Sequence, residues 1–380
     1  MRPLMRRRIL WVGAGMLCVA SVALGIEAPK PQPAAPAAQQ PEPARPAITA
    51  SDETAFYQVL QQVAHRRNFT GLTIPGDVID ALARGDADVA VNTLSSRANN
   101  GKLPENIALV RVQHWCNRTI NARPVDTQAQ IKSLPANLSS ERASRAAGVL
   151  LAEEKYRERA RAGCNKAQFD FNAIESRLRA AADSGDPASA TELAQFVRDP
   201  KHREALLQSA VDKNFAPAVY TLATSRLMAV QRGETTENVA SIRLLLKQAG
   251  RTLPKAKLDL ANCMALGCDG HPADAATAQA FGLDAARDGE PSAFQSIVRM
   301  PWARRMTRTQ MLSWQYFGDR LNEAGCGGDA YVGASVAFDQ SINALEKSQE
   351  AKLIEQARTE ADTLWQQNAE RAKREQGCSS

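Results

Sequence analysis

Small apolar residues recur along this chain at spacings of three and four, whereas strict apolar–polar alternation is rare, so the pattern predicts helices and hardly any strand. The clearest stretch begins at Asp274 and reads DAATAQAFGLDAARDGEPSAFQSI. Ala278, Phe281, Ala285 and Ala286 fall on one helical face. Asp274 stands where it would cap the helix start. Gly289 stops the helix and Pro291 opens the next one near its first turn. Ala293 and Ile297 then begin a second buried face.

Fainter copies precede this unit. Glu237, Ser241, Leu244, Ala249, Ala256 and Leu260 hold matching places one unit earlier. Leu206, Ala210, Asn214, Ala218 and Leu222 hold them before that, and Ala181, Ala182, Gly185, Ser189 and Leu193 give another copy. The turn anchors Gly185, Asn214, Thr252 and Gly289 lie 29, 38 and 37 residues apart, as in helix-pair repeats. Residues 81–94 read as a further degenerate copy. Helices are also expected over 54–65, 107–118, 139–162 and 169–183. After the glycine-rich turn at 325–328, one long helix is expected to run to Gln376. Its stripe is Ile342, Leu345, Leu353, Ala357, Ala361, Leu364 and Trp365, with Glu370 and Arg374 placed for an ion pair. The predicted fold is all-α: an α-solenoid of helix pairs with helical flanks and a long C-terminal capping helix. A coiled-coil arm is the alternative for that last helix, and no oligomeric state follows from the pattern.

The order Asp274, Ala278, Phe281, Ala285–Ala286, Gly289, Ala293 resembles the Sel1-like repeat, a relative of the tetratricopeptide repeat. The resemblance covers roughly residues 175–300. The Gly-x-Gly loop of that family is missing, apart from the partial Gly267-Cys268-Asp269-Gly270. The resemblance implies stacked helix pairs whose curved surface holds a protein or peptide partner.

Composition sharpens the picture. Aromatic residues make up only 5% of the 380, which suits close helix–helix contact better than a thick sheet core. The net charge of +6 misleads, because Arg2, Arg6, Arg7 and Arg8 supply four of those charges and leave +2 for the rest. That argues against a nucleic-acid surface, which needs a concentrated basic face. Arg299, Arg304, Arg305 and Arg308 form a local basic run, either a solvated face or an anion site. The basic start followed by the apolar run 9–24 has the pattern of a secretory signal, with cleavage expected after Gly25. An uncleaved inner-membrane anchor is the alternative. The expected organisation is a signal over 1–25, a Pro/Ala-rich linker over 26–49, a helical region over 50–170, repeats over 171–300 and a helical cap over 301–380.

Beyond Cys18, six cysteines remain, and an even number in an exported chain points to disulfides. The expected pairs are Cys116–Cys164, Cys263–Cys268 and Cys326–Cys378. Cys263, Cys268 and His271 offer a rival metal reading, but no fourth ligand lies close by. No catalytic motif appears. His114 and Cys116 would diverge on a helix, and Glu153, Glu154, Asp288 and Glu290 read as helix-end or solvated charges. The expectation is a periplasmic or secreted scaffold that is not an enzyme, needs no cofactor or metal, and binds a protein or peptide partner of the cell envelope. A cell-wall-associated enzyme or its regulator, and a membrane-tethered assembly factor, are the alternatives.

Overall fold

The computed structural model describes residues 75–101, 103–134, 140–267, 274–326, 331–376 and 378. All lie in the compact unit Pro46–Ser380. The described residues form sixteen α-helices, one 3₁₀ turn and one π turn, with no strand among them. The signal, the linker and the helix expected over 54–65 fall outside the described residues.

The first group comprises α1 (Gly76–Arg84), α2 (Ala87–Ala98), α3 (Leu103–Asn121), the short α4 (Thr127–Lys132) and the long α5 (Ser140–Lys166). Four hairpins follow: α6 (Phe171–Asp183) with α7 (Pro187–Leu193), α8 (Pro200–Val211) with α9 (Ala216–Arg232), α10 (Val239–Ala249) with α11 (Pro254–Leu266), and α12 (Ala275–Arg287) with α13 (Pro291–Arg299). The chain ends with a 3₁₀ turn (Pro301–Arg305), α14 (Arg308–Leu321), a π turn (Asn322–Cys326), α15 (Tyr331–Glu346) and α16 (Ala351–Gln376). Helices adjacent in sequence pack on one another through most of the chain, which makes the hairpins a solenoid. The long α5 also touches α15, so the stack turns back on itself.

One local device builds the hairpins. At Gly85, Gly185, Asn214 and Gly289 the backbone enters the left-handed region. At each, the next residue donates its N–H five positions back: Asp86 to Ala81, Asp186 to Ala181, Phe215 to Ala210 and Glu290 to Ala285. This double-bonded stop satisfies the last carbonyls of one helix and aims the chain into the next. Pro187, Pro217, Pro254 and Pro291 then open α7, α9, α11 and α13, where a missing N–H does no harm. The run 81–94, expected to be a degenerate copy, is such a hairpin: α1 and α2 flank Gly85.

Thr252 departs from the expected anchors. It has no positive φ, and Thr252 and Leu253 both donate to the Ala249 carbonyl instead. A β-branched residue resists the left-handed region, so this turn closes by another route.

The buried face of α12 is the one expected. Ala278, Ala285, Ala286 and Ala293 are fully buried, Phe281 packs partly buried against the same cluster, and Asp274 accepts from the Thr277 N–H at 3.0 Å. One unit earlier the register slips. Leu244 is 69% exposed while Ile242, Leu246 and Ala249 are buried; their spacings of four and three define the inward face. The expected C-terminal helix is broken at 347–350, and α16 begins afresh at Ala351. Ile342, Ala357 and Ala361 are buried, Leu345, Leu364 and Trp365 pack on the core, and Leu353 lies at the surface because the break resets the helical phase. Glu370 pairs with Lys373 at 3.1 Å, and Arg374 turns to Glu375 at 3.7 Å.

The interior is a series of seams. One cluster gathers Val78 to Leu193, and another gathers Ala223 to Cys378. Two small clusters centred on Ala210 and Ala256 lie between them. Phe294 meets Phe317 edge-on with ring centroids 6.0 Å apart, and Phe338 at 5.7 Å, so α13, α14 and α15 share one aromatic core.

Candidate functional site

The cysteines come first, because thiols would be the chain's strongest nucleophiles. Cys116 is bonded to Cys164, with Cα atoms 5.2 Å apart, and Cys326 to Cys378, at 5.5 Å. Cys263 is disulfide-bonded as well; Cys268 and His271 lie outside the described residues. Cys116, Cys263 and Cys326 are therefore not thiolates that could attack a substrate or ligate a metal. The first bridge ties α3 to α5, and the second ties Cys378, two residues past the end of α16, to the π turn.

His114 does not meet a nucleophile. Its ring lies against Phe196 with centroids 5.6 Å apart, and its Nε2 is buried without a partner. Burial holds its pKa below the ordinary value, against the raising pull of Glu192. Nearby, Glu192 accepts from Arg111 Nε at 3.0 Å and from Gln195 Nε2 at 3.0 Å. Of the expected surface acids, Glu153 pairs with Arg157 one turn on.

Asp288 is not a free surface acid. It is nearly fully buried and accepts from Lys257 Nζ at 2.5 Å and Arg371 Nε at 2.6 Å. Asp284 shares both cations, at 2.7 Å and 2.9 Å. Burial alone would raise the Asp284 carboxyl, but the hydrogen bonds from Lys257 and Arg371 outweigh it and hold the pKa low. This network joins α11, α12 and α16. It ties the last helix to the repeats.

A second polar group crosses three successive hairpins, with Tyr220, Lys255 and Asp259 half-buried and Glu290 buried. Tyr220 of α9 donates its hydroxyl to Asp259 of α11 at 2.8 Å. Lys255, one turn before Asp259, pairs with the other carboxylate oxygen at 3.1 Å. Glu290, which caps α13 by accepting from the Ser292 N–H at 3.2 Å, sits within the field of both. Burial raises the Glu290 carboxyl, Lys255 pulls it down and Asp259 pushes it further up. Burial, reinforced by Asp259, also pushes the Tyr220 hydroxyl well above its usual range. Parallel polar contacts stitch the same hairpins elsewhere: Arg226 bridges Glu204 and Glu237, and Gln248 donates to Asn214. The Tyr220–Asp259–Glu290 row was not foreseen from the sequence. The Lys255–Asp259 spacing was its one visible sign; the rest appears only when three hairpins are set side by side.

No group of metal-binding side chains occurs among the described residues, and no described helix is long and apolar enough to cross a membrane.

No protein-family model matches this chain. No curated protein matches it either. Among solved structures, the chain is similar to c5321, a protective antigen present in uropathogenic Escherichia coli strains displaying an SLR fold. The two share 13% identity over 87% of this chain and 88% of that one, with a TM-score of 0.31.

Proposed function

We propose that this protein is an exported, Sel1-like helical-repeat scaffold that holds a protein or peptide partner in the periplasm or cell envelope, and that it is not an enzyme. The observation that carries the reading is the half-buried group of Tyr220, Lys255 and Asp259, which links two consecutive hairpins of one solenoid. Side chains repeated across rigid helices offer an extended partner several fixed hydrogen-bonding points at little entropic cost. In this reading, residues 171–300 supply the recognition surface and 301–380 close the stack. Export is supported by the basic and apolar start of the chain and by the two disulfides, which persist in oxidising compartments.

The test is partner recovery from an envelope fraction by the full chain and by a Tyr220→Ala/Lys255→Glu variant of unchanged melting temperature. Loss of the recovered partner is expected. Equal recovery removes the reading. Mass spectrometry of the mature N-terminus tests export separately, since a start at Ile26 means the signal has been cleaved.

A further inference from the structure

The run of four arginines singled out in the sequence is left unexplained by the packing. Between Glu290 and Asp319 the chain holds Arg299, Arg304, Arg305 and Arg308 and no acidic residue. All four are exposed, and among the described residues none makes an ion pair or hydrogen bond. Arg111, Arg226 and Arg371 are each held by a carboxylate of the chain, and Arg123, Arg198 and Arg251 stand exposed one at a time, so what sets the four apart is their crowding without an acid between them. The four lie at one corner, at the end of α13, in the 3₁₀ turn and at the first residue of α14. Trp302 and Ala303, fully buried in the same turn, anchor the corner to the core.

Beside this corner is a shallow surface recess between α13, α14 and α15, with room for little more than a water molecule. Phe338, Val298 and Ala337 give it apolar walls, and Gln295, Arg299 and Ser341 give it polar ones. Arg299 thus belongs both to the basic corner and to the recess. A guanidinium is a planar fork that binds a carboxylate through two parallel hydrogen bonds.

We propose that this corner is a docking site for an acidic peptide segment. Its carboxylates pair with Arg299, Arg304, Arg305 and Arg308. The four guanidiniums follow one short path along two helix ends and the turn between them, which a run of peptide carboxylates can trace, whereas a lipid surface is met by a broad flat basic face. The near-neutral remainder of the chain disfavours a nucleic acid. The proposal rests on the scaffold reading above and adds a second contact surface, where the last repeat meets the C-terminal helices.

The test is fluorescence anisotropy of a short fluorescein-labelled peptide of alternating Glu and Val, with the same peptide carrying Gln for Glu as its neutral twin. The proteins are the full chain, a variant with all four arginines changed to Gln, one with all four changed to Lys, and Arg179→Gln as a remote exposed control. Matching circular dichroism and melting temperature establish that each is folded. The acidic peptide should bind the parent and the Arg179→Gln control equally, and the four-Gln variant about tenfold or more weakly, a loss of ~1.4 kcal/mol or more. The four-Lys variant should fall between, because charge remains and the fork is gone. Raising salt from about 0.15 M to about 1 M, which shortens the screening length from ~8 Å to ~3 Å, should weaken binding. Equal binding by the four-Gln variant, equal binding of the neutral peptide, or binding of the parent to phosphatidylglycerol vesicles but not to the acidic peptide each overturns the proposal. The scaffold reading survives these results if the Tyr220/Lys255 variant still loses its partner.

Discussion

Gly282 and Trp302 share one volume. A β-carbon on Gly282 would lie 2.6 Å from Cζ2 and 2.7 Å from Cη2 of the Trp302 indole, well inside van der Waals contact. The ring has nowhere to retreat, because it is fully buried and its Nε1 donates to Asn262 at 3.1 Å. The pair therefore fixes how α12 meets the 3₁₀ turn. Gly282→Ala should cost about 1–3 kcal/mol through overpacking, and Trp302→Ala about 3–5 kcal/mol through the cavity it leaves. Urea titration checks both. An unshifted midpoint for Gly282→Ala would show that the ring moves aside freely.

Asp288→Asn should also destabilise the fold. It removes the charge that Lys257 and Arg371 both neutralise, and Lys257 is only 13% exposed. Arg371 is partly exposed, so solvent screens its share. A loss of about 2–4 kcal/mol is expected, toward the lower end of the range for a broken buried pair. Acid should act through Asp284 in the same network. Its folded pKa lies below the unfolded 3.8, so its contribution is complete above that pH and fades as pH falls through the lower folded value. Unfolding midpoints followed from neutral pH into this acid range would show whether Asp288→Asn flattens the fall.

Glu290 has the opposite sign. Burial raises its folded pKa above the unfolded 4.5, so the folded state holds its proton more tightly. Stability contributed by Glu290 is present below pH 4.5 and declines as pH rises through the folded value. Glu290→Gln keeps an acceptor for the Ser292 N–H and removes the charge. The variant should be at least as stable as the parent at neutral pH and lose less stability on leaving the acid range. A variant less stable than the parent at neutral pH would contradict this.

The bridge between Cys116 and Cys164 closes a stretch of 48 residues. A Cys116→Ser/Cys164→Ser variant should lose up to about 4 kcal/mol by the loop-entropy estimate. Calorimetry under non-reducing conditions would read this as a lower melting temperature. Adding reductant should lower the parent's melting temperature while shifting the double variant less, since fewer bridges remain to be reduced.

Asp274 offers a smaller and cleaner test of the repeat unit. Its side chain caps α12 through the Thr277 N–H, so Asp274→Ala should cost about 1 kcal/mol. Asp274→Asn should cost less. Equal losses for the two would mean that charge at the helix start, and not the hydrogen bond, is what the residue supplies.

Much of the helical pattern could be read in advance where local chemistry decides it. The unit from Asp274 to Ala293 needed only a capping acid, an alanine face, a left-handed glycine and a proline, and each acts within a few residues of itself. The expected pairings of Cys116 with Cys164 and of Cys326 with Cys378 are the bonds observed. Leu244 and Leu353 went astray for a shared reason: a repeat period or a stripe carries helical phase across a turn or a break, and the backbone does not. Thr252 failed because a period predicts where a turn falls and says nothing of whether that residue accepts positive φ.

The candidate surface was far less legible. Tyr220, Asp259 and Glu290 are distant in sequence and meet because three hairpins stack in register. The same holds for Asp288 with Arg371, 83 residues apart.

From its sequence alone this protein was determined to be a chain of paired helices with alanine seams, because capping, turn geometry and helical periodicity act over short stretches of backbone. Tertiary structure alone decided which charges are neutralised inside the stack and which are left at the surface, Arg299, Arg304, Arg305 and Arg308 among them. Those outcomes depend on distances between helices, and a linear pattern does not contain them.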